Sequence, residues 1–196
     1  MKKVLKLLTL FVAITFAQIS YAGSHEKKAV ESMTLDNSLS SLSFVSIKKG
    51  TAGEVHTIDK LSGSFSKEGD LVVKLDLSSV NTGIDIRNER MQKHLFKTES
   101  NPTATISAKI ENKPTNGVSI VTGTLNLNLH GIKKDIEFSV IAVTTDDKLV
   151  VSSKNPIMIQ ASDFGLVAGI QKLQELAKLP SIATAVPVSF VLTFTK

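Results

Sequence analysis

Residues Ser79–Ile110 read SVNTGIDIRNERMQKHLFKTESNPTATISAKI, and three kinds of pattern follow one another within them. An extended run ends in Asn81-Thr82-Gly83, residues that favour turns over a continued strand. A charged segment, Ile86–Phe96, then shows helical spacing, with Asp85 placed as its N-cap and Leu95-Phe96 closing it. Asn101-Pro102 opens a second extended run, in which Ala104, Ile106, Ala108 and Ile110 alternate with Thr105, Ser107 and Lys109. Period-two alternation gives a strand one dry face and one wet face. The stretch is therefore strand, short helix, strand.

Working outward, period two dominates from Leu35 onward. Val73, Leu75 and Leu77 alternate with Lys74 and Asp76, and Leu125, Leu127 and Leu129 with Asn126 and Asn128. Ile136, Phe138 and Val140 alternate with Glu137 and Ser139, and the last run sets Val186, Val188, Phe190, Leu192 and Phe194 against Ser189, Thr193 and Thr195. Glu68-Gly69-Asp70, Asn116-Gly117, His130-Gly131 and Asp146-Asp147 are compact connections between such runs. Many strands joined by short hairpins predict an antiparallel meander, and closing it into a barrel removes its exposed edges. A two-sheet sandwich has the same periodicity. One further segment departs from it: Val167–Lys178 sets Ile170, Leu173 and Ala177 on one helical face, with Pro180 as a stop.

The first residues carry an address. Lys2, Lys3 and Lys6 precede an apolar run, Leu7–Ala17, of about eleven residues, and Ser20-Tyr21-Ala22 offers small residues at the positions a signal peptidase reads. A membrane-spanning helix needs roughly 20 apolar residues, so the run reads as a cleaved signal peptide, residues 1–22. Residues 23–34 read as a polar leader and 35–196 as one domain. Removing three Lys leaves 20 basic against 18 acidic residues, a net of +2, so the basic balance belongs mainly to the signal. That excludes the dense cationic patch a nucleic-acid partner requires. The chain has no Cys, which removes disulfides, thiolate metal sites, catalytic thiols and acyl anchoring together. The expected product is a soluble exported protein.

No nucleophile elbow, H-E-x-x-H or P-loop occurs. His25, His56, His94 and His130 are far apart, and no pair has ligand spacing. His56 and His130 read as hydrogen-bonded surface or rim residues. The sequence thus points to no catalytic residue, no metal site and no cofactor. An eight-stranded barrel has an interior just wide enough to be filled by side chains or to hold one small ligand. The dry faces mix bulky residues with Ala104, Ala108 and Gly123, which leaves either room for a ligand or gaps filled by a helix or a large neighbour. On the charged helix, Arg87, Arg90 and His94 share a side beside Met91 and Leu95. They are either a group for an anionic or carbonyl head, or Arg87 and Arg90 pair with Asp85, Glu89 or a facing strand.

The order Asn81-Thr82-Gly83, Arg87-Asn88, Leu95-Phe96, Asn101-Pro102 resembles the central pattern of the YceI-like family of periplasmic lipid-binding proteins. The resemblance runs from about Leu35 to the C-terminus. Asn88 stands where the family usually has Asp, and Asn101 where an aromatic often precedes the proline. A first-strand Trp common in the family is absent. The resemblance implies an all-β fold, an antiparallel eight-stranded lipocalin-like barrel with two short helices. It also implies a non-enzymatic function: binding, transport or sequestration of an isoprenoid lipid such as a quinone or polyprenyl phosphate. The expected channel lining is Phe44, Leu75, Ala104, Ile106, Ala108, Leu127, Phe138, Phe190 and Leu192, with Arg87, Arg90 and His94 at the head group. Transient membrane contact and a homodimer are compatible partners. An enzyme of isoprenoid or quinone metabolism and an outer-membrane barrel are the alternatives.

Overall fold

The computed structural model describes residues 32–196. The expected signal peptide and most of the leader lie outside the described residues. Twelve strands are present: β1 (Met33–Leu35), β2 (Ser41–Lys48), β3 (Ala52–Ile58), β4 (Leu61–Phe65), β5 (Asp70–Asp76), β6 (Val80–Asn81), β7 (Thr103–Lys109), β8 (Gly117–Leu129), β9 (Ile132–Thr144), β10 (Lys148–Ser153), β11 (Ile157–Gln160) and β12 (Ala185–Thr195). The first strand starts at Met33, inside the stretch read as leader.

The pairings reduce twelve strands to eight bent ones. β1 pairs with β4 and β2 with β3, while β4 pairs with β5 and β3 with β6. So β1–β2, β3–β4 and β5–β6 are each one strand with a bend. β10 and β11 both lie along β12 in the same way. Successive bent strands pair in chain order, and β12 closes the ring on β1 and β2. The result is the expected closed eight-stranded antiparallel barrel. Closure distinguishes it from a sandwich, because no edge remains along the meander.

Two of the bends have the same local chemistry. In Asp36-Asn37-Ser38 and Asp76-Leu77-Ser78 the aspartate Oδ1 accepts from the backbone N–H of the serine two residues on, at 2.9 Å in each. Such a side-chain turn supplies the bonding that the interrupted ladder loses. The first bend also covers Thr193, expected on a wet face. Thr193 is buried because its hydroxyl donates to Leu39 O and its N–H donates to Ser40 Oγ, both at 2.9 Å. β8 and β9 meet in a two-residue hairpin at His130 (φ 55°) and Gly131 (φ 78°), the left-handed pair that matches strand twist.

The dry faces point inward as read. Val73, Leu75, Leu77, Ala104, Leu125, Leu127, Val140, Leu192 and Phe194 are buried. On the outside the alternation is less clean: Val118 and Ile120 of β8 stand exposed opposite Val143 and Ile141 of β9.

Helix α1 (Asp85–Arg90) continues as a wider π-type turn over Met91–Phe96 and ends at Lys97, whose φ is 49°. Asp85 is not its N-cap. Ile84 occupies that position without a side-chain bond. Asn88 Oδ1 reaches back to accept the Thr82 N–H at 2.8 Å and the Thr82 hydroxyl at 2.7 Å. Helix α2 (Val167–Leu176) packs across the far end of α1. Gly169 makes that contact possible: a Cβ there would lie 2.7 Å from His94 O and 2.9 Å from Leu95 Cα. The two helices together cover one end of the barrel.

Candidate functional site: an apolar channel with a polar mouth

Three adjoining chambers run through the barrel. The central one, ≈ 160 Å³, is lined entirely by apolar side chains from the strands and by Leu95, Phe96, Leu166 and Ile170 from the helical segments. An inner chamber of ≈ 80 Å³ shares Leu42, Ile106, Leu125 and Phe190 with it. An outer chamber of ≈ 350 Å³, under α1 and α2, shares Phe44, Leu95, Ile170 and Val186 with it. Apolar cavities of about 150 Å³ stay free of water, so the central chamber is suited to hydrocarbon.

The expected lining residues mostly converge here. Phe44, Leu75, Ala104, Ile106, Leu127 and Phe190 line the central chamber, and Phe138 and Leu192 line the inner one. Ala108 lines none of the three; it is partly buried against the core nearby. Gly123 leaves no free space either, because the Phe138 ring lies 3.2 Å from where its Cβ would be. A large neighbour has filled that gap. The helical contribution was legible on α2, whose Ile170 and Leu173, with Ala177 just past its end, face the outer chamber.

The mouth is built by the inward positions of β2 and β3, which grade from apolar to charged. Along β2 they run Leu42, Phe44, Ser46, Lys48; along β3, in the opposite direction, Ile58, His56, Glu54. Register sets Phe44 opposite His56 and Ser46 opposite Glu54. Sequence reading took only Phe44 from this set. The same period-two rule would have found the rest, had polar residues been allowed on an inward face.

Charges at the mouth are mutually engaged. Glu54 accepts from Lys48 Nζ at 2.6 Å and from Arg87 Nη1. The Lys48 bond, reinforced by Arg87, holds the Glu54 carboxyl below the usual carboxylate range. Arg87 therefore pairs with a facing strand. Arg90 also lines the outer chamber and donates a long bond, 3.4 Å, to Leu176 O at the end of α2. His94, the third member of the expected group, lines none of the three chambers; its neighbour Leu95 does. His56 is neither at the surface nor hydrogen-bonded through Nδ1. It is 3 % exposed, packs edge-on against Phe44 at 5.4 Å, and its Nδ1 has no partner. Burial, then the Arg87 charge, holds its pKa below the ordinary histidine value.

Among the described residues no group of three His, Cys, Asp or Glu could hold a metal ion, and no helix is long and apolar enough to cross a membrane. The barrel has its apolar side inward and Lys74, Lys109, Lys133 and Glu137 exposed outside. An outer-membrane barrel has the reverse arrangement, with an apolar band facing lipid.

Fold and site together define a lipocalin-like barrel enclosing a dry channel. The YceI-like domain model matches residues 33–194, and the chain belongs to that family. Among solved structures it is similar to a polyisoprenoid binding domain from Saccharophagus degradans implicated in plant cell wall breakdown. That likeness has 37% identity, covers 83% of this chain and 97% of the other, and reaches a TM-score of 0.79. Burkholderia cenocepacia BcnA has the same fold at 18% identity, covering 81% of this chain and 98% of its own, with a TM-score of 0.62. Comparison with curated proteins gives no match.

Proposed function

We propose that this protein binds an isoprenoid lipid without chemically altering it, holding the tail in the channel and the head at the mouth, as a periplasmic carrier or sequestering protein. The observation that carries the reading is the central chamber, which is wholly apolar and shares wall residues with a further chamber on either side. A long unbranched or methyl-branched chain fits such a course better than a compact ligand. Each CH₂ taken from water into it contributes roughly 0.8 kcal/mol, against the cost of ordering the chain. The similarity to a solved polyisoprenoid binding domain supports the ligand class. Export rests on Lys2, Lys3, Lys6 and the cleavage pattern ending at Ala22. Contact with a membrane during loading is part of the reading, since Ile84 and Ile86 line the outer chamber and are 46% and 52% exposed at its rim.

Native mass spectrometry of protein purified from its own periplasm, followed by lipid extraction, tests this. An isoprenoid adduct on a chain beginning at Gly23 is the expected result. Protein that carries no lipid and takes up no added long-chain prenol would overturn it.

A further inference from the structure

Four buried side-chain atoms among the described residues lack a hydrogen-bond partner: His56 Nδ1, Ser119 Oγ, His130 Nε2 and Thr144 Oγ1. Of these residues only His56 lines one of the three chambers. A buried polar atom without a partner is costly, and in a native protein each one calls for a specific explanation. The imidazole sits where the channel changes character. It stands opposite Phe44; on its deep side lie Leu42 and Ile58, and on its outer side Ser46 and Glu54. A lipid whose tail fills the central chamber places its first polar atom at this level.

We propose that His56 is the head-group anchor of the channel: its Nδ1 accepts a hydrogen bond from a hydroxyl at the head of the bound chain. This deepens the lipid-binding reading above and rests on it. The tautomer sets the ligand chemistry. His56 Nε2 lies 4.0 Å from Glu54 Oε2, and that carboxylate draws the imidazole proton to Nε2. Nδ1 is then a buried lone-pair acceptor without a partner, and it needs a donor. A prenyl alcohol or a quinol supplies one; a quinone or an ether does not. The other charged groups at the same mouth are Lys48 on β2, Glu54 on β3, and Arg87 and Arg90 on α1. The first three neutralise one another in part, and Arg90 is turned to a backbone carbonyl. None of them meets the ligand at the depth of His56.

The test uses the full mature chain with two probes, geranylgeraniol and its methyl ether, which share a tail and differ in the hydroxyl proton. At pH 8 the wild-type protein should bind the alcohol roughly three- to tenfold more tightly than the ether, the ordinary worth of one buried hydrogen bond. His56→Leu should bring the ratio to one. His56→Gln, whose amide oxygen accepts, should restore part of the preference. Thermal melting checks that both variants fold. Lowering the pH until the imidazole is protonated should also remove the preference, because Nδ1 then becomes a donor. An equal ratio in wild type and His56→Leu overturns the anchor while leaving lipid binding intact. Failure of the wild type to bind either probe overturns the lipid-binding reading itself.

Discussion

The deep and outer halves of the channel are made by the same rule and do different work. In both, every second residue of a strand points inward. Deep in the barrel those positions are Leu75, Ala104, Leu125 and Leu127, and all are buried. At the mouth they are Ser46, Lys48, Glu54 and His56, three of which either pair their charges or hold a polar atom without a partner. Geometry assigns the inward face, while chemistry at that face decides whether it forms a core or a recognition surface. The transition is completed within one strand pair, over the two-residue step from Phe44 to Ser46.

Placing an amide on both halves should break the symmetry most sharply. Leu42→Asn, 6% exposed, loses its apolar contacts and buries an unpaired amide, a cost of about 3–5 kcal/mol. Ser46→Asn, four positions along on the same face, should cost within about 0.5 kcal/mol. Urea denaturation of the two variants reads the difference directly. Similar midpoints would mean that the mouth is as dry as the interior.

A second comparison separates channel from wall. Ala104→Phe places a ring in the central chamber and should abolish prenol uptake, with an overpacking cost of about 1–3 kcal/mol. Ala108→Phe, on the same strand but outside the chambers, should leave uptake in place. Ligand-dependent melting shifts distinguish them.

The lid offers a third, at lower expected effect. Gly169→Ala forces α2 away from the His94 carbonyl, costing about 1–2 kcal/mol, and should speed lipid release more than it lowers the melting temperature. Release measured by transfer of a fluorescent prenol to vesicles reports it. Unchanged release would leave the helices as mere packing.

The smallest effect is a pH dependence. The His56 pKa lies below its ordinary 6.5, so as pH falls through 6.5 the unfolded chain binds a proton before the folded one. Stability is full above 6.5, falls from there, and stops falling once the folded histidine is also protonated. Glu54, held below its ordinary 4.5, adds stability that is full above 4.5 and lost at lower pH. His56→Leu should remove the first phase and keep the second. Urea midpoints from pH 8 to about 2.5 follow both.

Where the alternation runs long, in β5, β7, β8, β9 and β12, both the strand and its inward face are readable from the residues alone, because twofold periodicity leaves a single solution for which side is dry. Helix α2 is readable from its apolar stripe. Thr193 and Asp85 depart from their expected roles for a common reason. A wet-face threonine is buried when a distant turn folds over it, and the helix takes in Asp85 where Asn88 ties the preceding Thr82 to its first turn. Both depend on contacts that local pattern does not encode.

By itself, then, the sequence determined an all-β meander with two short helices, the residues of its dry side, and the absence of thiol chemistry and of recognised catalytic motifs. Tertiary structure alone decided how much of that dry side is empty. Phe138 fills the place beside Gly123, whereas Ala104 borders the central chamber, and composition treats the two small residues alike. It also decided the fate of the charged residues. Glu54 and Arg87 are 33 positions apart and meet only because barrel closure brings α1 over β3. That pairing, together with the burial of His56 behind it, depends on the relative placement of whole elements, which sequence periodicity does not specify.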